Sequence, residues 1–106
     1  MASKEINLVA TLKPKAGKID EVAALFAETA KKVHATEPDT LTYYAIQPKE
    51  GDVLLVVERY KNGQALQAHG NSDHFKAFAA AVQPLLQEPF GATIGRQVGG
   101  FRREKL

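Results

Sequence analysis

The stretch Val53–Tyr60, "VLLVVERY", opens with five consecutive apolar residues. Turn residues bound it on both sides, Gly51-Asp52 before and Asn62-Gly63 after. A short, β-branched run of this kind reads as a strand. Because the apolar residues do not alternate with polar ones, the strand needs cover on both faces of its sheet. Whatever this chain folds into must supply two covering layers.

The other segments limit what those layers can be. Ile6–Leu12, Leu41–Gln47 and Ala92–Val98 are further strands, rich in Val, Ile, Thr and Tyr. Pro48–Asp52 is a turn, so the second and third strands form a hairpin. From Lys18 the period changes. Ile19, Val22, Leu25, Phe26, Thr29 and Val33 recur at three- and four-residue steps, a helix that Pro38-Asp39 ends. Asp20 and Glu21 in its first turn and Lys31 and Lys32 near its end suit the helix dipole, and His34 is most simply a cation at the same end. Gln64–Ala68 is a short helical segment. Ser72 is placed as an N-cap, followed by an apolar stripe of Phe75, Phe78, Ala79, Val82, Leu85 and Leu86. Pro84 kinks or frays that helix.

The resulting order, β-α-β-β-α-β, is the ferredoxin-like α+β arrangement, with two helices on one face of an antiparallel sheet. The helices cover one face only. A second copy of the chain is the economical cover for the other, giving a homodimer. With 106 residues the chain makes one domain, 1–106, with about 99–106 as a C-terminal tail.

Composition removes several function classes. There is no cysteine, which excludes disulfides, thiolate catalysis and cysteine-based zinc sites. The formal net charge is +2 and the basic residues are scattered, apart from Arg102, Arg103 and Lys105, so nucleic acid is not an expected partner. No apolar run is long enough for a bilayer, and the N-terminus lacks the apolar stretch of a signal peptide. The expectation is a cytoplasmic protein with no membrane partner. The ending Glu104-Lys105-Leu106 has Glu where a peroxisomal address needs a small residue.

Two of the three histidines fall in Ala65–Phe75, "ALQAHGNSDHF". A histidine near its ordinary pKa suits general-base work. If Ser72 caps the helix, His74 lies in the first turn, where the positive helix end keeps it neutral. The plainer alternative is that His69 terminates the short helix and His74 bonds a local carbonyl or carboxylate. A metal site is not expected. The imidazoles are five apart across a glycine break, no paired carboxylate lies nearby, and Asp73 alone is a poor third ligand. Glu58 and Tyr60 share one strand face. Glu58 either orients a histidine or acts as a base with a raised pKa, or it is a surface carboxylate paired with Arg59, Lys61 or Arg96. Tyr43 and Tyr44 point to opposite faces, so only one of them reaches a pocket in a given subunit. Phe26, Phe75 and Phe78 serve the core first, and in a domain this small the core is also the pocket wall.

Glu58, Tyr60, Ala65, Leu66, His69, Ser72, His74 and Phe75 match, in order, a pattern of Glu-x-Tyr/Trp, Ala-Leu and His-x-x-Ser/Thr-x-His-Phe/Tyr. In this the chain resembles the antibiotic biosynthesis monooxygenase family, and its opening "VATLKPKAGKIDEV" is similar to that family's first strand and helix start. The resemblance implies a dimeric α+β barrel with a pocket between sheet and helices in each subunit. It also implies a range of chemistries: oxygenation of phenols, quinols or anthrones by O₂ without metal or flavin, haem degradation, or isomerisation and cleavage of small metabolites. Aligned through Ser72-Asp73-x-Phe75-Lys76-Ala77, the haem-degrading members' ligating His falls at Ala79 and their Trp at His69. This chain has no Trp at all, so haem is not expected. The quinol-oxidising members, with His-x-x-Thr-Pro-His here, are closer.

The resemblance therefore implies a cofactor-independent monooxygenase acting on a small phenolic, quinol or polyketide-like compound, with O₂ as co-substrate and no metal. The candidate catalytic residues are His69, His74 and Glu58. The candidate substrate contacts are Tyr44, Tyr60, Asn71, Phe75 and Phe78. Two alternatives stay open: a cofactor-free isomerase or lyase, and a non-catalytic dimeric binding domain.

Overall fold

A computed structural model describes residues 4–103. The elements in chain order are β1 (Ile6–Leu12), α1 (Ile19–Thr36), β2 (Thr40–Ile46), β3 (Leu54–Tyr60), α2 (Gly63–Gly70), α3 (Asp73–Val82) and β4 (Gly91–Gly95). A single 3₁₀ turn, Gln83–Leu85, follows α3. The strands form one antiparallel sheet in the order β2-β3-β1-β4. This is the expected ferredoxin-like α+β fold, with the second helix split in two. The terminal residues Glu104-Lys105-Leu106 and the Lys105 of the basic cluster lie outside the described residues. Among the described residues no helix is long and apolar enough to cross a membrane.

Strand alternation decides what the helices meet. Along β3 the buried residues are Leu54, Val56, Glu58 and Tyr60, while Leu55, Val57 and Arg59 on the other face are only half-buried. Pairing carries that phase to the neighbours: Leu8 lies opposite Glu58 on β1, and Tyr43 opposite Glu58 on β2. Leu8, Ala10, Leu12, Leu54 and Val56 meet Val22 and Phe26 of α1 and Phe78 and Val82 of α3 in one core cluster. The opposite sheet face carries Val9, Tyr44 and Ile46, each between 43% and 49% exposed. Cover on both faces of β3, the expectation from its unbroken apolar run, is thus met within one chain on the helix side alone.

The ends of the elements follow local chemistry. α1 has no side-chain cap at Lys18, and Asp20 and Glu21 supply the favourable charge there instead. The helix continues past Lys31 and Lys32 to Thr36, which leaves His34 as the basic residue of its last turn. Asn62 does more than break the strand, since its side chain accepts from Ala65 N (2.9 Å) and caps α2. Ser72 accepts from Phe75 N (3.2 Å) as expected, and its hydroxyl donates back to His69 O (2.6 Å). One serine therefore ties the end of α2 to the start of α3. Pro84 sits at the start of the 3₁₀ turn, the kink that proline imposes. Lys15 N donates to Leu85 O and Gln87 N to Lys13 O, both at 2.8 Å, which pins the chain after α3 onto the end of β1.

β4 departs from the expected Ala92–Val98. It pairs from Gly91 to Gly95, and its last partner is Asn7, next to the first residue of β1. Beyond that point the chain runs through the polar Arg96 and Gln97, and Val98 and Phe101 are 85% and 76% exposed.

The double role of Ser72 gives a stability prediction. Ser72→Ala should lower the unfolding free energy by about 1–2 kcal/mol in urea titration. Asn71→Ala, at an exposed residue that caps α2 through its backbone N–H, should stay within about 0.5 kcal/mol of the parent.

Candidate active site

The carboxylate of Glu37 organises the polar centre of the molecule. Glu37 follows the last residue of α1, where its own N–H still donates to Val33 O (2.8 Å). That is the negative end of the helix dipole, a poor place for an anion. Three donors compensate. The Thr40 hydroxyl donates to Oε1 (2.7 Å), His69 donates from Nδ1 to Oε1 and Oε2 (2.9 and 3.1 Å), and His74 donates from Nε2 to Oε2. Burial pushes the Glu37 carboxyl up, but the hydrogen bonds from Thr40 and His74, with His69, outweigh it and hold the group below the usual carboxylate value. Glu37 is therefore ionised at neutral pH.

His69 lies in the last turn of α2 and is 3% exposed. Its ring sits in an aromatic collar of Phe75 (5.1 Å between centroids), Tyr43 (5.2 Å) and Tyr60 (5.6 Å). Burial drives its pKa below the ordinary histidine value despite the pull of Glu37 toward the charged form. The imidazole is therefore neutral near pH 7. Because Nδ1 holds the proton given to Glu37, Nε2 carries a free lone pair. That nitrogen is buried and has no hydrogen-bond partner. Buried polar atoms are seldom left so, and a catalytic role is one of the reasons when one is.

Glu58 is 8% exposed, which rules out a surface carboxylate paired with Arg59, Lys61 or Arg96. It does not hold a histidine either: its partner is the Tyr60 hydroxyl, two residues along the same strand face. Burial pushes the Glu58 carboxyl up to about 7; the Tyr60 hydrogen bond opposes this and the Glu37 charge adds to it. Burial, with the nearby Glu58 and Glu37 charges, also raises the Tyr43 and Tyr60 hydroxyls, so both phenols stay protonated.

The structure brings His69, His74, Tyr60 and Phe75 together, with Glu58 beside them through Tyr60. It sets two expected contacts apart. Tyr44 lies on the other sheet face, 49% exposed, because the register that faces Tyr43 toward Glu58 turns its neighbour outward. Tyr43 takes the place expected for Tyr44, stacked on Phe26 at 4.9 Å. Asn71 is exposed at the α2 end, where its backbone N–H caps the helix on Gln67 O and His69 O. Phe78 is core, edge-on to Phe26 at 6.2 Å.

Glu37 escaped the sequence reading. It is 32 residues from His69, and the only signal was its place just before Pro38-Asp39 at the end of the helix. Glu37 thus places beside both histidines the carboxylate that Asp73 does not supply. Oxygen and nitrogen atoms of Glu37, His69 and His74 lie within 4.8 Å of one another, a spacing that suits metal ligands as well as hydrogen bonds.

Two clefts flank the cluster. A polar one of about 330 Å³ is lined by Glu37, Asp39, Thr40, Asn62 and Gln64. An apolar one of about 570 Å³ runs along Ala79, Ala80, Leu86 and Phe90. The larger cleft does not reach the histidines directly. Phe90 on its wall meets Phe75 edge-on at 6.4 Å, and Phe75 meets His69. Titratable groups converge at the histidine cluster and not on the wall of the larger cavity.

Residues 6–81 match the family model described as antibiotic biosynthesis monooxygenase. A solved Caulobacter crescentus CB15 structure named for that family is 36% identical, with a TM-score of 0.85 over 92% of each chain. At lower identity, the fold recurs in a Mycobacterium tuberculosis protein (23%, TM-score 0.83, 91% of this chain and 97% of that one). It recurs again in a Nitrosomonas europaea protein (15%, TM-score 0.85, 92% and 94%). No curated protein matches the chain.

Glu58 yields a pH prediction. Its pKa is raised on folding from 4.5 to about 7, so across that window the unfolded chain ionises while the folded one keeps its proton. Stability contributed by this group is therefore present below pH 4.5 and lost as pH rises toward 7. Glu58→Gln keeps an acceptor for Tyr60 and does not titrate. Its stability relative to the parent should rise by about 2–3 kcal/mol between pH 4.5 and pH 8, read from urea midpoints at each pH.

Proposed function

Because the chain belongs to the antibiotic biosynthesis monooxygenase family, we propose that it oxygenates a small phenol or quinol with O₂, using His69 as the base. The observation that carries this reading is the buried, unpartnered Nε2 of His69, whose other nitrogen is held by Glu37. A carboxylate on Nδ1 fixes the tautomer and orients the ring, which leaves Nε2 ready to accept a proton. Glu37 is the positioning residue. His74 occupies the same carboxylate as a second donor and keeps it from rotating away.

In the proposed reaction, His69 Nε2 takes the phenolic proton. The phenolate gives one electron to O₂, and the resulting radical pair joins as a carbon–peroxide bond. His69 returns its proton to the peroxide. Loss of the ring hydrogen at that carbon and cleavage of the O–O bond then give a carbonyl. One oxygen atom stays in the quinone and the other leaves as water, so a phenol and O₂ become a quinone and H₂O. The aromatic collar keeps water away from the phenolate, and the protonated Tyr43 and Tyr60 add no negative charge beside it. The apolar cleft along Ala79, Leu86 and Phe90 suits the rest of such a substrate, with Phe75 between it and His69.

The half-exposed Val9, Tyr44 and Ile46 support a homodimer in which the second copy covers the open sheet face. Light scattering should then give twice the mass of one chain, and Tyr44→Asp should give the mass of a single chain.

The activity test is O₂ uptake with a panel of hydroquinones and polyketide-like phenols. One O₂ should be consumed per quinone formed. His69→Gln should lower kcat/KM by roughly 10²- to 10⁴-fold. Glu37→Gln should lower kcat by roughly tenfold or more with KM little changed, as befits a group that aims the base. Turnover that persists without O₂ would point instead to an isomerase or lyase, and an undiminished His69→Gln enzyme would remove the histidine from the reaction.

A further inference from the structure

Glu37, His69 and His74 present one carboxylate and two imidazoles from three different element ends. Glu37 comes from the end of α1, His69 from the end of α2 and His74 from the start of α3. We propose that these three residues bind a divalent transition-metal cation of the Zn²⁺ class, and that binding turns His69 Nε2 from a proton acceptor into a donor. The metal site and the active base are then mutually exclusive states of one cluster. The binding half of this inference stands on the cluster itself. Its consequence for turnover rests on the reading of His69 Nε2 as the base.

The donor set selects the cation. Two imidazoles and a carboxylate suit Zn²⁺, Co²⁺, Ni²⁺ and Cu²⁺, whereas Mg²⁺ and Ca²⁺ require oxygen ligands. Three protein ligands leave a fourth position for water. Nitrogen and oxygen ligands lie about 2.0–2.2 Å from zinc, which places them roughly 3.3–3.5 Å apart in a tetrahedron. Glu37 Oε1 and His69 Nδ1 are already 2.9 Å apart, and no pair of the three ligand atoms exceeds 4.8 Å. Side-chain adjustment alone closes that difference. The Thr40 hydroxyl, 2.7 Å from Glu37 Oε1, remains as an outer support for the ligating carboxylate.

The route in differs from the one proposed for substrate. The polar cleft of about 330 Å³ opens on Glu37 and carries Asp39 on its wall, a second negative group on the path of a hydrated cation. The side chains of His74 and Glu37 are 15% and 11% exposed, against 3% for His69. A cation entering by this cleft meets Glu37 first. A metal on Nδ1 takes the lone pair opposite Nε2, and the neutral imidazole then carries its single proton on Nε2. The buried nitrogen that had a free lone pair becomes an N–H.

The test uses the full chain after chelator treatment, titrated calorimetrically with ZnCl₂ and, in parallel, MgCl₂. One Zn²⁺ should bind per chain and Mg²⁺ should give no saturable heat. Glu37→Gln and His74→Gln should each weaken zinc binding by roughly tenfold or more, while His34→Gln, exposed on α1, should not change it. Long-range ¹H–¹⁵N spectra of the unsubstituted chain give a second readout: the His69 proton should move from Nδ1 to Nε2 on zinc addition. The proposal is overturned if zinc binding is absent, if it survives equally in Glu37→Gln and His74→Gln, or if the proton stays on Nδ1 at saturating zinc. None of these results depends on turnover. O₂ uptake by the metal-free chain tests the base separately, so the two readings fail independently.

Discussion

An anion at the wrong end of a helix sets the terms for this structure. Glu37 sits where the α1 dipole is negative, and it is stable as a carboxylate because Thr40, His69 and His74 all donate to it. Those donors belong to the start of β2, the end of α2 and the start of α3. Satisfying one charge therefore brings four element ends to one point. Removing a donor would cost about 1.5–3 kcal/mol, the usual worth of a hydrogen bond to a charged group. The same network fixes the His69 ring, and the aromatic side chains of Tyr43, Tyr60 and Phe75 pack around a ring that is already held.

The two carboxyl groups of the site, Glu37 half-buried and Glu58 buried, show how environment alone divides one type of acid. Glu37 has three donors and stays ionised below its usual pKa. Glu58 has one, the Tyr60 hydroxyl, and burial raises it to about 7. Each lies on a different side of the His69 ring, one bonded to its nitrogen and one joined to it through the Tyr60 ring. The site therefore carries a fixed negative charge on the helix side and, on the sheet side, an acid that titrates at about 7. Divergent pKa values in adjacent groups are a common mark of acid–base sites.

Much of this was written in local chemistry, and the limits of local chemistry explain the remainder. Ser72 is recognisable as a cap from its own residue type and its place before Asp73, and the structure confirms its bond to Phe75 N. Glu58 and Tyr60 share a face by strand parity alone. Parity could not choose between Tyr43 and Tyr44, because the choice depends on the β2–β3 register that sets Tyr43 opposite Glu58. The β4 boundary lies at Gly95 and not Val98 because pairing stops opposite Asn7, near the start of β1, which no local feature of Ala92–Val98 marks. Glu37 was invisible for a deeper reason. Its partners are contributed by two other helices and a strand, and no periodicity or spacing within α1 announces them.

The sheet order has a consequence for how the molecule is made. β4 pairs only with β1, at the edge opposite β2, whereas Glu37, Glu58, His69 and His74 all precede Gln83. The residues of the histidine cluster therefore all belong to elements that precede the last strand, and none of them is on β4. Later elements then close the sheet edge without entering the cluster. The last strand meets the cluster only indirectly, through Phe90 just before it, whose ring packs edge-on against Phe75.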